Sequence, residues 1–385
     1  MTHLIATQAE DAARLQQDLA RALDGGPALA LGMLALGSSD DEPEVVEDGT
    51  AVVIGTSGSS GIPKRVVLSA EALRAGAEAT AGRIGSGSWM LALPAGYVAG
   101  LQVLARSILA GTTPVVLDGA FSPRSFMDAT QRMVRGGEPL FTSLVPAQVA
   151  TLLDASIEDT GVLAALRAYS AILVGGQALP VPVRERAAEL GVRLVRTYGS
   201  TETSGGCVYD GAPLETVAVK VVDGELRIAG PMLADGYLGD PVLTETTFVR
   251  DEHGIRWYRT GDLGVVEDGI VRVHGRADNV IVSGGVNISL DRIERIVRSI
   301  PGLTGAVVVG VDDDRWGEAS VIVAERGEAL RRSESEQLAH ARGVVAEQLG
   351  KPARPARMII VDEIATLSSG KPDREAIRRL AAELR

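Results

Sequence analysis

Residues 52–68, VVIGTSGSSGIPKRVVL, carry an apolar, strand-like run into a loop of Gly, Ser and Thr that ends at Lys64. Small side chains let backbone N–H groups close on an anion, and the lysine adds a cation, so phosphate binding is the chemistry expected. The spacing matches neither common nucleotide loop. Gly55 is followed five residues later by Ser60, and Lys64 lies between Pro63 and Arg65. That breaks G-x-x-x-x-G-K-[ST], and no G-x-G-x-x-G follows a strand. The loop therefore points to nucleotide phosphate, but not to a Walker NTPase or a dinucleotide domain.

Four other segments hold polar side chains that could act in chemistry. RTYGSTET (196–203) ends a strand with an aromatic ring, small hydroxyls and Glu202. YRTGDLG (258–264) puts Asp262 in a Thr-Gly-Asp turn, GRADNVIVSGG (275–285) carries Arg276 and Asp278, and LSSGKPDRE (367–375) sets Lys371 beside glycine. Each one alone fits an ordinary polar loop or turn. The cation usage makes the lysines worth following, because only Lys64, Lys220, Lys351 and Lys371 occur among 38 basic residues. His3, His253, His274 and His340 show no metal or triad spacing, and there is no G-x-S-x-G elbow. The single cysteine, Cys207, excludes a disulfide framework and a Cys-based zinc site.

These segments need a scaffold, and the sequence patterning describes one. Between about residues 50 and 210, short runs rich in Val, Leu and Ile (TAVVIGT, WMLALPA, TPVVLD, SAILVGG, VRLVRTYG) alternate with helix-compatible segments (69–84, 100–111, 146–155). That alternation predicts an α/β architecture with strands covered on both faces. From about 215 to 285 the pattern becomes all-β, with hairpin signals at Asp223-Gly224 and Asp268-Gly269. A compact α+β unit follows. There LDRIERIVRSI aligns Leu290, Ile293, Val297 and Ile300 on one helical face, and Ser333 with Glu336 forms a capping box. The expected division is a large N-terminal domain with a β subdomain (1–277) and a small C-terminal domain (278–385).

Composition limits the partners. At 385 residues, 45% hydrophobic and 23% charged, the chain reads as two or three ordinary globular domains. A net charge of −12 argues against non-specific binding to nucleic acid or a membrane surface. The N-terminal segment has early acids and no apolar core, so no signal peptide is expected, and the apolar run 28–37 is too short and glycine-rich to span a bilayer. A reducing cytoplasm is the default setting. Oligomeric state is not encoded legibly, and a homo-oligomer stays open.

Taken jointly, the segments resemble the adenylate-forming superfamily of acyl-CoA synthetases, firefly luciferases and peptide-synthetase adenylation domains. The resemblance covers residues of about 50 to 385 in the family's order: the loop Thr56 to Lys64, YGSTE (198–202), YRTGD (258–262), GRADNVIVSGGVNI (275–288), DDDRWGE (312–318) and SSGK ending at Lys371. It implies ATP, Mg²⁺ and CoA as cofactor and co-substrates, with a small-molecule acid as substrate. Thr56, Ser57, Gly58, Ser59, Ser60, Gly61 and Lys64 would cradle the departing pyrophosphate. Gly175 and Gly176 would line the adenine pocket, Tyr198 would stack on the base, and Gly199 and Ser200 would belong to the same nucleotide site. Thr201 would contact the α-phosphate, and Glu202 would hold Mg²⁺. Asp262 would accept from both ribose hydroxyls with Arg276 beside it, and Lys371 would bridge the substrate carboxylate and α-phosphate. Asp278 matches the hinge about which the small mobile C-terminal domain would swing, bringing Ser283, Gly284 and Gly285 to a pantetheine channel.

The segment LALPAGYVAGLQVLARSILAG (91–111) resembles the o-succinylbenzoate–CoA ligases of menaquinone synthesis. Arg106 matches an arginine that in that subfamily helps hold the substrate's benzoate carboxylate. Tyr97, which replaces a usual His there, would join Arg106 at that carboxylate, and Ala99 replaces a usual Ser. A surface position for Arg106 is the competing reading. The phosphate loop begins early, at residue 56, as in a shortened N-terminal subdomain, and the chain ends soon after Lys371, as in a stand-alone ligase. Another aryl- or acyl-CoA ligase, an adenylating enzyme serving a separate carrier protein, and a non-catalytic nucleotide-binding relative are the alternatives.

Overall fold

The computed structural model describes the chain except residues 8, 33–43, 58–62, 327–332, 368–370 and 385. The strand Thr50–Ser57 is the TAVVIGT run of the sequence. It pairs in parallel with Ala28–Leu31 and antiparallel with Pro63–Ser69, inside a six-stranded sheet. A seven-stranded sheet lies beside it. Its strands Leu194–Ser200, Tyr169–Val174, Leu140–Leu144 and Ser88–Leu91 neighbour one another in that order, all parallel.

Leu140–Leu144 (LFTSL) is buried at every position, as a strand covered on both faces must be. Two hydroxyl residues in five hide it from a hydrophobicity reading. Thr142 tolerates burial because its hydroxyl donates to the Met90 carbonyl at 3.1 Å. The helices Pro123–Val134, Thr160–Arg167 and Val181–Glu189 cover this sheet and were likewise not legible from spacing. The helix Ala70–Ile84 starts where expected, with the Ser69 side chain accepting from the Ala72 N–H. It packs along Val98–Leu109, whose Leu101, Val103, Leu104 and Ala105 are fully buried. Each such Leu or Val contributes roughly 1.5–3 kcal/mol of burial free energy.

Both hairpins form at the expected dipeptides. Asp223 and Gly224 (φ 53° and 81°), and Asp268 and Gly269 (51° and 76°), occupy the left-handed region that a two-residue turn of this hand requires. They join the strands of a third sheet, whose long member Arg256–Glu267 pairs with Ile270–Arg276. A fourth sheet uses residues 280–361 and is covered by the helices Leu290–Val297, Glu334–Leu349 and Arg374–Glu383. Leu290, Ile293, Val297 and Ile300 all face its core, and the Ser333–Glu336 capping box is present. The buried apolar clusters of this unit draw only on residues after 280.

Candidate active site

The Lys64 end of the candidate site lies where strands Thr50–Ser57 and Pro63–Ser69 pair. Thr56 faces Lys64 across the antiparallel pair, which brings the lysine to the mouth of the turn. Gly58, Ser59, Ser60 and Gly61 lie outside the described residues. Lys64 Nζ stands 5.4 Å from the centroid of the Tyr237 ring, and Tyr237 Oη donates to Glu202 Oε1 at 2.9 Å. Burial, reinforced by the Glu202 charge, pushes the Tyr237 phenol up, so it remains a donor. Tyr237 was missed by sequence reasoning. Its strand, Gly236–Tyr237, is two residues long and gives no periodicity, and only pairing with Val66 and Val67 brings it here.

The YGSTE segment turns the end of strand Leu194–Ser200 into the short 3₁₀ turn Thr201–Thr203. Thr203 Oγ1 accepts from the Ser200 N–H at 2.8 Å and donates to the Gly205 carbonyl at 2.7 Å. A Cβ at Gly199 would stand 2.0 Å from that same carbonyl oxygen, so only glycine allows this close passage. Ser200 Oγ is 3.5 Å from Tyr258 Oη, and Tyr198 Oη donates to Asp262 Oδ2 at 2.7 Å.

Asp262 is not in a turn, as the sequence suggested, but inside the strand Arg256–Glu267, opposite Arg276. The preceding Gly261, at φ +70°, supplies the local irregularity; a Cβ there would press on the Arg276 guanidinium at 3.1 Å. Burial holds the Asp262 carboxyl above the ordinary range, against the opposing pull of the Tyr198 hydrogen bond and the Arg276 charge. Arg276 grips Asp278 with two bonds, at 2.9 and 2.7 Å, donates to the Thr260 carbonyl at 3.0 Å, and stands 3.8 Å from Asp262.

Lys371 comes from the fourth-sheet unit. Its carbonyl accepts from the Leu367 N–H at 2.8 Å, and Thr366 bridges to Pro372. Its Cε lies 3.6 Å from where a Cβ on Gly176 would project, which puts the side chain against the Gly175-Gly176 pair. Water reaches the ammonium, but surrounding protein lowers its pKa from the ordinary 10.5, and only the Glu202 carboxylate opposes that shift. Lys371, Glu202, Gly176 and, through Tyr237, Lys64 thus converge from strand ends far apart in the chain. Gly175 is needed for a similar reason, since a Cβ would meet Thr197 Oγ1 at 2.5 Å.

Arg106 is not on the surface. It is 7% exposed, its guanidinium carbon lies 4.9 Å from the Trp89 ring centroid, and Nη2 is 3.4 Å from Tyr209 Oη. Its Nε has no partner, and no carboxylate pairs with it among the described residues. Burial lowers its pKa, yet a guanidinium keeps its proton. A cavity of about 270 Å³ between the helices Ala70–Ile84 and Val98–Leu109 reaches Trp89 and Arg106. Tyr97 caps the start of the same helix. It stands nine positions before Arg106, about 13 Å along the helix axis.

The turn Ser283-Gly284-Gly285 joins two strands of the fourth sheet, with Gly284 at φ +57° and Gly285 at +79°. The Gly284 N–H donates to the Trp316 carbonyl at 2.8 Å, and a Cβ there would touch the Trp316 ring at 3.0 Å. No cluster of three acidic, His or Cys side chains occurs among the described residues.

Residues 2–238 match the AMP-binding enzyme family, and residues 292–371 match the AMP-binding enzyme C-terminal domain. The chain is 39% identical over 348 residues to a probable 2-succinylbenzoate–CoA ligase of Mycobacterium tuberculosis, spanning 88% of this chain and 87% of that one. It is 29% identical over 402 residues to the 2-succinylbenzoate–CoA ligase of Geobacillus kaustophilus, spanning 94% and 77%. The solved o-succinylbenzoate CoA synthetase (MenE) from Bacillus subtilis, in complex with the acyl-adenylate intermediate OSB-AMP, superposes with a TM-score of 0.72. It is 26% identical and spans 89% of this chain and 72% of that one. Two family matches along the chain, and a relative of nearly the same extent, make the assignment plain: this chain belongs to the AMP-binding enzyme family.

Proposed function

We propose that the protein is an AMP-forming acid–CoA ligase that activates o-succinylbenzoate with ATP and passes the acyl group to CoA, the step that serves menaquinone synthesis. The observation that carries the substrate is Arg106. A guanidinium buried without a counter-ion is costly, and a second carboxylate on the substrate would offset that cost by a bidentate, charge-assisted pair. A monoacid would leave it unpaired. The relatives named for this acid support the same reading.

In the first half-reaction a carboxylate oxygen attacks the α-phosphorus, the bond to the β-phosphate oxygen breaks, and pyrophosphate leaves. Lys371 neutralises charge where the carboxylate and α-phosphate meet, and Lys64 with the Thr56–Gly61 loop receives the departing pyrophosphate. Thr201 contacts the α-phosphate. Tyr198 and Asp262 hold the nucleoside, the carboxylate accepting from the ribose hydroxyls, with Arg276 alongside. Glu202, oriented by Tyr237, would hold Mg²⁺, whose charge offsets that of the phosphates.

In the second half-reaction the CoA sulfur attacks the acyl carbon and AMP leaves with the bonding electrons. We place the division between a large domain (1–277) and a small one (278–385) at Asp278. Rotation there would withdraw Lys371 and present the Ser283–Gly285 turn to the pantetheine arm. Among the described residues no helix is long and apolar enough to cross a membrane, and a cytoplasmic setting fits substrates of this kind. A panel of aryl and acyl acids, assayed for pyrophosphate release with and without CoA, tests the reading. CoA-dependent turnover should be greatest with o-succinylbenzoate; a monoacid turned over equally well would assign the protein to another acyl-CoA ligase.

A further inference from the structure

Lys371 sits against Gly176. Neighbouring side chains form a closed path that joins the small unit to the large one at that point. Three residues after Lys371, Arg374 donates from Nη2 to both oxygens of Glu294, at 2.9 and 2.8 Å, and from Nη1 to the Val308 carbonyl at 3.1 Å. Glu294 is buried on the helix Leu290–Val297 and also accepts from the Val308 N–H at 3.0 Å. One turn later on the chain, Arg298 lies 3.6 Å from Glu294 and donates from Nε to the Thr304 carbonyl at 2.8 Å. Its Nη1 crosses to the large unit and donates to Gln177 Oε1 at 3.1 Å. Gln177 follows Gly176, so the path returns to Lys371.

We infer that Arg298 and Gln177 are positioning residues for adenylate formation: their hydrogen bond, braced through Glu294 and Arg374, locks the small domain with Lys371 in the site. This rests on the reading of Lys371 given above and adds what holds it there. The geometry has a reason to work as a lock. Glu294 and Arg298 are 7% and 8% exposed, and Arg298 has its Nε and one carboxylate already committed within the small unit. Nη1, which itself lies 3.6 Å from Glu294 Oε1, is therefore presented in a fixed direction, with little rotamer freedom left to lose when it meets Gln177. Rotation of the small domain would break the Arg298–Gln177 bond and leave the Arg374–Glu294–Arg298 part intact, because all three move together.

The test separates the half-reactions. Acid-dependent ATP–pyrophosphate exchange reports adenylation, and thioester formation from supplied acyl-adenylate and CoA reports the second step. Arg298→Ala and Gln177→Ala should each slow exchange by about tenfold, the worth of one hydrogen bond to a charged group. Thioester formation should stay within about twofold, and the double variant should be no slower than the worse single one, since both remove the same contact. Equal slowing of both half-reactions, unchanged exchange, or additive losses would overturn the inference. If Arg298→Ala fails to fold because Glu294 is left exposed to one fewer cation, the half-buried Gln177→Ala decides alone. Lys371→Ala, run beside them, distinguishes the two levels. Loss of exchange in that variant with Gln177→Ala unaffected sinks only the lock, whereas full exchange without Lys371 sinks the mechanism beneath it.

Discussion

Tyr198 Oη donates to Asp262 Oδ2 at 2.7 Å, tying the strand that ends in YGSTE to the strand that carries YRTGD. Sixty-four residues separate the two, and the bond fixes the phenol and carboxylate that we propose hold the nucleoside.

Burial raises the Asp262 pKa despite this bond, so the ionised carboxylate is costly to hold in the free protein. A carboxyl whose folded pKa lies above its unfolded 3.8 favours the fold fully below that value and loses the contribution as pH rises through the folded pKa. Asp262→Asn should therefore melt at or above the parent temperature at pH 7, with the difference vanishing near pH 4. Its KM for ATP should rise about tenfold or more, from loss of the charged acceptor. Thermal melts across pH and steady-state kinetics check both halves, and a destabilised variant with unchanged KM would count against this role.

Lys371 should set the alkaline limit of adenylation. Protein crowding lowers its pKa, so the ammonium is lost below pH 10.5 as pH rises, and kcat/KM for pyrophosphate release should fall there. Lys371→Arg should flatten that limb, since guanidinium does not titrate. Lys371→Ala should cut adenylation by about 10²–10³-fold and spare thioester formation from supplied acyl-adenylate. A pH–rate profile identical in Lys371→Arg and the parent would remove Lys371 from the step.

Arg106 should trade stability for substrate recognition. Arg106→Met fills similar space over Trp89 without a buried charge, and should raise stability by on the order of 1–2 kcal/mol. The KM for o-succinylbenzoate should rise by roughly 10–100-fold while that for ATP stays unchanged. Denaturant titration and a KM comparison are sufficient. Unaltered affinity for the diacid would leave the substrate assignment without its residue.

Glu202 should govern the magnesium requirement. Glu202→Gln keeps an acceptor for Tyr237 but loses the charge, so half-maximal Mg²⁺ should rise roughly tenfold or more. A magnesium titration of pyrophosphate release reads this directly, and an unchanged midpoint would transfer the ion to other ligands.

Much of the scaffold was readable because its signals are local. Asp-Gly dipeptides between alternating runs make two-residue hairpins whatever surrounds them, and both formed where expected. The face Leu290, Ile293, Val297 and Ile300 is buried because a 3.6-residue period leaves no other way to shield it. The central strand LFTSL escaped notice because its hydroxyls are satisfied by a neighbouring strand, which no local pattern records.

The site divides along the same line. The ordered segments were enough for the resemblance to the family, and through it for the proposed roles of Glu202, Asp262, Arg276 and Lys371, because each segment keeps its residues in a short consecutive run. Tertiary structure alone decided that Arg106 is buried with no carboxylate partner among the described residues, that Tyr237 orients Glu202, and that Arg298 reaches Gln177 across 121 residues of chain. Those outcomes depend on which surfaces meet when separate sheets and helices pack, and burial and pairing are properties of that meeting.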